Sequence, residues 1–271
     1  MKIKQWLKAS QSQLQAADIP TARLDCLVLL EDALQKDRAY LLAHDDIELS
    51  SHQQDTLRQQ LTARSQHTPL AYIRGKTEFF GREFIINKDV LEPRPESEAM
   101  IELLKKLPDI NMQEQHIIDV GSGSGALAIT AKLELPQATV TGVDIDPACL
   151  KVARQNAQKH QVTVTFNNND LINNIIIHPR TALLCNLPYI PDKFTLNQAA
   201  MNEPKIAIFG GKDGLDHYRK LFKQIDKLQQ KPVHILTESL PFQHNDLCKI
   251  ASQSGYTQAK EDDFIQLFSC S

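Results

Sequence analysis

No glycine occurs before Gly75 in this 271-residue chain, although ten are present from there onward. A long opening stretch without the residue that most readily enters left-handed turns favours helices. No apolar run approaches the roughly 18 residues of a membrane-spanning helix. The opening Met1-Lys2-Ile3-Lys4-Gln5-Trp6 lacks the apolar core and small-residue cleavage site of a secretory signal, so we expect a cytoplasmic protein. The five cysteines, Cys26, Cys149, Cys185, Cys248 and Cys270, are odd in number, scattered and without a CxxC pair. That pattern fits reduced thiols and speaks against a disulfide framework or a zinc site. Positive charge is not in excess either: a net charge of −3 gives no general pull toward phosphate backbones, although a local basic patch stays open. A hydrophobic content of 42% with 23% charged residues is ordinary for a globular chain and excludes fibrous and disordered classes. The length leaves room for a second unit beside a full α/β core.

The first 70 residues read as a small helical module. Trp6, Leu7, Leu14 and Ala17 recur at helical spacing; after Pro20 a wider stripe runs through Leu24, Leu27, Val28, Leu30 and Leu34. A third helix is expected from Ser51 to Ser65, with Ser50 or Ser51 as cap and Leu57 and Leu61 as its apolar contact. Between 71 and 92, Tyr72, Ile73, Phe79, Phe80, Phe84, Ile85 and Ile86 around Gly75 and Gly81 predict a β-hairpin linker. Pro93 and Pro95 end it, and Glu96 to Leu107 looks helical. Beyond Pro108 short apolar runs alternate with helical stretches, the pattern of an α/β domain extending over 93–271. Expected strands are His116–Val120, Thr139–Asp144, Val162–Phe166, Ala182–Cys185 and Val233–Glu238, with a final strand pair after Gly255. Helices are expected over Gly125–Leu135, Pro147–His160 and Gly214–Leu228.

The chemistry concentrates at strand ends. Gly121-Ser122-Gly123-Ser124-Gly125 stands where a strand gives way to a helix, and glycines there let a ligand approach the backbone. About twenty residues on, Asp144 ends the next strand, a suitable place for a carboxylate accepting hydrogen bonds from ribose hydroxyls. Gly121, Gly123 and Ala126 also satisfy the dinucleotide fingerprint, so these residues alone leave NAD and S-adenosylmethionine both open. Asp146, followed by Pro147, reads as a helix cap. Asp170, after three asparagines, is in a position to reach an adenine edge. Asn186-Leu187-Pro188-Tyr189 closes a buried strand at the carboxyl edge of the sheet. There the Asn186 side chain and the Leu187 carbonyl offer two acceptors to one NH₂ group, Pro188 stiffens the turn without a competing N–H, and Tyr189 supplies a ring face.

This motif series resembles the class I S-adenosylmethionine-dependent methyltransferases that act on exocyclic or amide nitrogen. The Asn-Leu-Pro-Tyr spelling is typical of rRNA adenine dimethyltransferases, whereas protein-glutamine methyltransferases usually carry Asn-Pro-Pro-Tyr. The upstream residues favour the second branch: Ala22-Arg23-Leu24-Asp25, Pro69 to Gly75, Glu78-Phe79-Phe80-Gly81 and Val90 to Glu98. With Asn202-Glu203-Pro204 and Phe209 to Leu215, they resemble the release factor glutamine methyltransferase family over nearly the whole chain. The resemblance implies an α/β fold, a Rossmann-like class I methyltransferase sheet with a small N-terminal helical domain joined by a β-hairpin. It implies S-adenosylmethionine as cofactor, held by Gly121, Ser122, Gly123, Ser124, Gly125, Asp144, Asp170, Leu171 and Asn186. The acceptor would meet Asn186, Leu187, Pro188 and Tyr189, with Asn186 and Tyr189 as catalytic residues and no metal. Class I peptide-chain release factors would be the partners, docked on the helical module of a monomer, with neither membrane nor nucleic acid engaged. The alternatives are an adenine-N6 methyltransferase on rRNA or DNA, and a binding module without catalysis.

Three positions depart from the family pattern. Leu187 stands where the family has its first proline, which matters little if only the carbonyl is used. Glu92 replaces an aliphatic residue, for no reason visible in the sequence. Glu261-Asp262-Asp263-Phe264-Ile265 lacks the usual Asp-Arg before the last strand.

Overall fold

The computed structural model describes residues 1–107 and 115–270, in two compact units: Met1–Gly75 with Leu196–Asn202, and the remainder. Pro108, where the sequence pattern changes, lies outside the described residues. In the first unit α1 (Ile3–Ala16) buries Ile3, Trp6, Ser10 and Leu14, one face at helical spacing. Helix α2 (Ala22–Leu34) buries Cys26, Leu27, Leu29 and Leu30, while Leu24 stays 46% exposed. Asp37 caps the short α3 (Arg38–Ala43) through the Tyr40 N–H at 2.8 Å. Helix α4 (Ser51–Ser65) opens on Ser50 in a capping box with Gln53, and its Arg64 holds the buried Asp25 of α2 at 2.7 Å. Helix α5 (Leu70–Arg74) occupies part of the segment read as hairpin and ends at Gly75, φ +71°.

The second unit opens on the antiparallel hairpin β1 (Lys76–Phe79) and β2 (Arg82–Ile85), turned by Phe80 and Gly81, both at positive φ. A 3₁₀ turn over Pro95–Ser97 leads into α6 (Glu98–Lys105). The α/β part then runs β3 (His116–Val120), α7 (Ala126–Glu134), β4 (Thr139–Asp144), α8 (Pro147–Lys159), β5 (Thr165–Asn168) and β6 (Thr181–Cys185). It closes with α9 (Asp216–Ile225), β7 (His234–Glu238), α10 (His244–Gln253), β8 (Tyr256–Asp262) and β9 (Ile265–Cys270). The seven strands are ordered β5-β4-β3-β6-β7-β9-β8, parallel except for β9, which is antiparallel to both its neighbours.

Successive strand residues alternate between two cores, as period-two side chains must. Ile117, Ala182, Leu184, Leu236 and Leu267 pack with α6, α7 and α8; Ile118, Leu183, Cys185, Ile235 and Phe268 pack with α9 and α10. From β3 the chain winds outward to β4 and β5, then returns to lay β6 on the other side of β3. That reversal opens a crevice at the carboxyl ends of β3 and β6.

Two local expectations are corrected. The third strand of this part spans Thr165–Asn168 rather than Val162–Phe166. Its ladder to β4 runs from Thr141↔Thr165 to Asp144↔Asn168, and the Asn168 amide donates to the Asp144 and Ile145 carbonyls at 3.0 and 2.8 Å. The Asn168 side chain thus ties the end of this edge strand to β4. Helix α10 went unforeseen because its buried set is small: His244, Leu247 and Ala251. Among the described residues no helix is long and apolar enough to cross a membrane.

Candidate active site

The crevice is a cleft within the second unit, lined by Gly121 and Gly123 after β3, Asp144 after β4, Asp170 and Leu171 after β5, and Asn186, Leu187 and Pro188 after β6. Eight residues singled out from the sequence therefore face one space. Ser122, Ser124, Gly125 and Tyr189 do not line it. Ser122 and Ser124 are buried, the Ser122 hydroxyl donating to the Asp119 carbonyl at 3.0 Å. Gly123 has φ +52°, and a Cβ built there meets nothing within 4 Å, so its backbone stands open to a ligand.

Asp144 is 8% exposed and accepts the Gly123 N–H at 2.8 Å and the Asp146 N–H at 2.9 Å. Burial pushes its carboxyl up, the two N–H groups hold it down, and the net direction is upward. Each oxygen keeps a lone pair for a further donor. Asp146 caps α8 through the Ala148 N–H at 2.8 Å. Asp170 is paired with Lys220 of α9 at 2.5 Å, and both line the cleft.

The loop after β6 is held from behind by residues the sequence did not point to. Asn186 Nδ2 donates to Ser97 Oγ at 2.9 Å; Ser97 Oγ donates to Glu238 Oε2 at 2.5 Å; Tyr189 Oη donates to Glu238 Oε1 at 3.0 Å. Glu238 ends β7 and is 1% exposed, and burial raises its carboxyl above the ordinary range against the pull of these donors. Gln243 Nε2 donates to the carbonyls of Tyr189 at 2.9 Å and Asp213 at 2.7 Å, and the Tyr218 hydroxyl donates to the Cys185 carbonyl at 2.9 Å. Among the described residues neither Asn186 Oδ1 nor the Leu187 carbonyl accepts a hydrogen bond. The Leu187 side chain, by contrast, is 2% exposed and belongs to the core.

Glu92 also finds its reason. It accepts from Thr77 Oγ1 at 2.8 Å and stands 3.7 Å from Arg94, whose guanidinium grips the buried Glu203 through both oxygens at 2.7 and 2.8 Å. Burial raises the Glu203 carboxyl while Arg94 pulls it down. Arg94 thus ties the Pro-Arg-Pro segment to Glu203, and the neighbouring Pro204 lines the cleft.

Comparison with known proteins bears on the same residues. The release factor glutamine methyltransferase of Coxiella burnetii is 38% identical over 217 residues, 79% of this chain and 77% of its own length. That of Koribacter versatilis is 36% identical over 232 residues, 83% of this chain and 81% of its own. The chain belongs to the release factor glutamine methyltransferase family. As a member of it the protein is a methyltransferase, and two family descriptions divide it: PrmC N-terminal domain over residues 5–75 and methyltransferase small domain over 96–203. The second span contains the glycine loop, Asp144, Asp170 and Asn186; Glu238, which braces them, lies beyond it. The hMettl16 catalytic domain, solved in complex with MAT2A 3'UTR hairpin 6, superposes with a TM-score of 0.54 over 80% of this chain and 82% of that one. At 13% identity this is a likeness of fold.

Proposed function

We propose that this methyltransferase modifies the side-chain amide nitrogen of a glutamine in peptide-chain release factors, the glutamine of their Gly-Gly-Gln motif, using S-adenosylmethionine. The observation that carries the reading is Asn186: its NH₂ is committed to Ser97, so its Oδ1 is left as an acceptor in the cleft beside the glycine loop.

The residues present fit the cofactor. Gly123 leaves room where any side chain would project, and Asp144 retains acceptor capacity at the next strand end. Gly121, Gly123, Asp144, Asp170 and Leu171 would hold S-adenosylmethionine, which when bound supplies an electrophilic methyl group, while Ser122, Ser124 and Gly125 shape the loop from inside. An amide nitrogen is a weak nucleophile because its lone pair is shared with the carbonyl. Asn186 Oδ1 and the Leu187 carbonyl would accept its two N–H groups, draw density onto nitrogen and fix its direction. Pro188 keeps the loop stiff, and the Tyr189 ring would stand against the amide plane. Glu238 has both oxygens occupied and is buried, so it is no general base here; the product amide can lose its proton to water.

Docking of the release factor is assigned to the first unit, and the setting to the cytoplasm. That unit carries a groove lined by Leu7, Lys8, Arg23, Leu27 and Leu42. The deciding experiment incubates the full chain with labelled S-adenosylmethionine and an intact release factor, then locates the methyl group by mass spectrometry of the digest. One methyl on the Gly-Gly-Gln glutamine is the expected result. Methylation of adenine in RNA and never of glutamine would overturn the reading in favour of the nucleic-acid alternative.

A further inference from the structure

We propose that Ser97 and Glu238 are positioning residues that set which end of the Asn186 amide faces the acceptor. The inference rests on the reading that Asn186 Oδ1 receives the glutamine NH₂.

An Asn amide has an accepting and a donating end of nearly equal size, and rotation by half a turn exchanges them. Only the accepting end can draw density onto an amide nitrogen; the donating end would repel its N–H groups. Something must therefore choose. Ser97 Oγ has a single hydrogen, and the 2.5 Å contact with Glu238 Oε2 takes it, since an ionised carboxylate can only accept. Tyr189 spends its own hydrogen on the other oxygen at 3.0 Å. Ser97 is then left with lone pairs alone to offer Asn186, and the Asn186 NH₂ must turn toward it, as found at 2.9 Å. Oδ1 is consequently the end presented to the cleft. With Glu238 ionised, the direction of every bond in the chain follows from its charge, and Ser97 and Glu238 are 2% and 1% exposed, so water does not compete for either. Neither residue lines the cleft, which separates positioning from contact.

The test uses the full chain, an intact release factor and labelled S-adenosylmethionine, with steady-state kinetics and calorimetry of the cofactor. Ser97→Ala should lower kcat about 10- to 100-fold while the Kd for S-adenosylmethionine stays within about two-fold, as expected when orientation alone is lost. Ser97→Thr, which keeps the hydroxyl, should restore most of the rate. On an Asn186→Ala background Ser97→Ala should cost nothing further, because it acts only through that amide. Should Ser97→Ala slow the Asn186→Ala enzyme by the same factor as the wild type, or leave wild-type kcat unchanged, the positioning role is overturned. If Asn186→Ala itself keeps full activity, the failure lies in the amide reading beneath it. Should Ser97→Ala fail to fold, Ser97→Cys takes its place: a kcat between those of wild type and Asn186→Ala supports the relay, and wild-type kcat overturns it.

Discussion

Leu187 lies against Gly121: a Cβ built on Gly121 would stand 3.2 Å from Leu187 Cδ2, across the carboxyl ends of β3 and β6. The side chain that breaks the family's Pro-Pro spelling thus fills the space beside the first glycine of the loop. Leu187→Pro keeps the carbonyl but removes part of a buried side chain. We expect kcat near the wild-type value with a loss of about 1–3 kcal/mol in stability. Urea unfolding beside initial rates would check both halves; an unchanged midpoint would mean that the loop closes over the gap.

Asp144 is expected to matter twice, as an acceptor for the cofactor and as the brace of the Gly123 and Asp146 N–H groups. Asp144→Ala should weaken S-adenosylmethionine binding by about 1.5–3 kcal/mol, the range for hydrogen bonds to a charged group. Calorimetry that found NAD bound and S-adenosylmethionine ignored would return the glycine loop to its dinucleotide meaning.

Arg94 and Glu203 differ in exposure, 34% against 3% for their side chains, so their removal should not be symmetrical. Arg94→Ala strands a buried carboxylate and is expected to cost about 1–3 kcal/mol, reduced from the fully buried case by the solvent that reaches Arg94. Glu203→Gln should cost less, since the guanidinium can turn to Glu92 and water. Denaturant midpoints of the two variants decide the order.

Asp119 gives a pH dependence. It is 1% exposed, its Oδ1 has no partner among the described residues, and burial first of all pushes its carboxyl from 3.8 up to about 7. Between those values the folded state binds the proton more tightly than the unfolded chain, so this group's contribution falls as pH rises through the window. Asp119→Asn, which never ionises, should therefore gain in melting temperature relative to wild type on going from about pH 5 to about pH 8. A difference independent of pH would show the carboxyl to be ionised throughout.

Deleting residues 1–75 should leave S-adenosylmethionine binding intact, because every cleft residue belongs to the second unit. Methylation of an intact release factor should be lost. An undiminished rate on the intact protein would remove the docking role from the first unit.

What the sequence disclosed follows from how local each signal is. β3 and β4 were legible to the residue because apolar runs end at Gly121 and Asp144, and the glycine loop announces its own turn. β5 was misread at its end because Asn167 and Asn168 read as turn residues, and the two bonds that the Asn168 side chain makes to the Asp144 and Ile145 carbonyls exist only once β4 lies beside it. Ser97 and Glu238 were invisible for a stronger reason. Ser97 sits within the Val90 to Glu98 segment with nothing there to mark its hydroxyl, Glu238 is one acid at a strand end, and their meaning lies in partners 89 and 141 positions apart. Glu92 has no local signal of its role, because Thr77 and Arg94 come to it only in the fold.

The first unit is not continuous in the chain: Leu196–Asn202 belongs with Met1–Gly75, and Asn202 donates to the His67 carbonyl at 3.1 Å. Synthesis runs in one direction, and an amino-terminal unit ordinarily folds while the rest is still being made. Here the ribosome delivers five helices early but withholds their last segment until β3 to β6 and the Asn-Leu-Pro-Tyr loop have been made. The helical unit of a nascent chain therefore waits with one edge unfinished, and its completion reports that the segment bearing the glycine loop and Asn186 already exists.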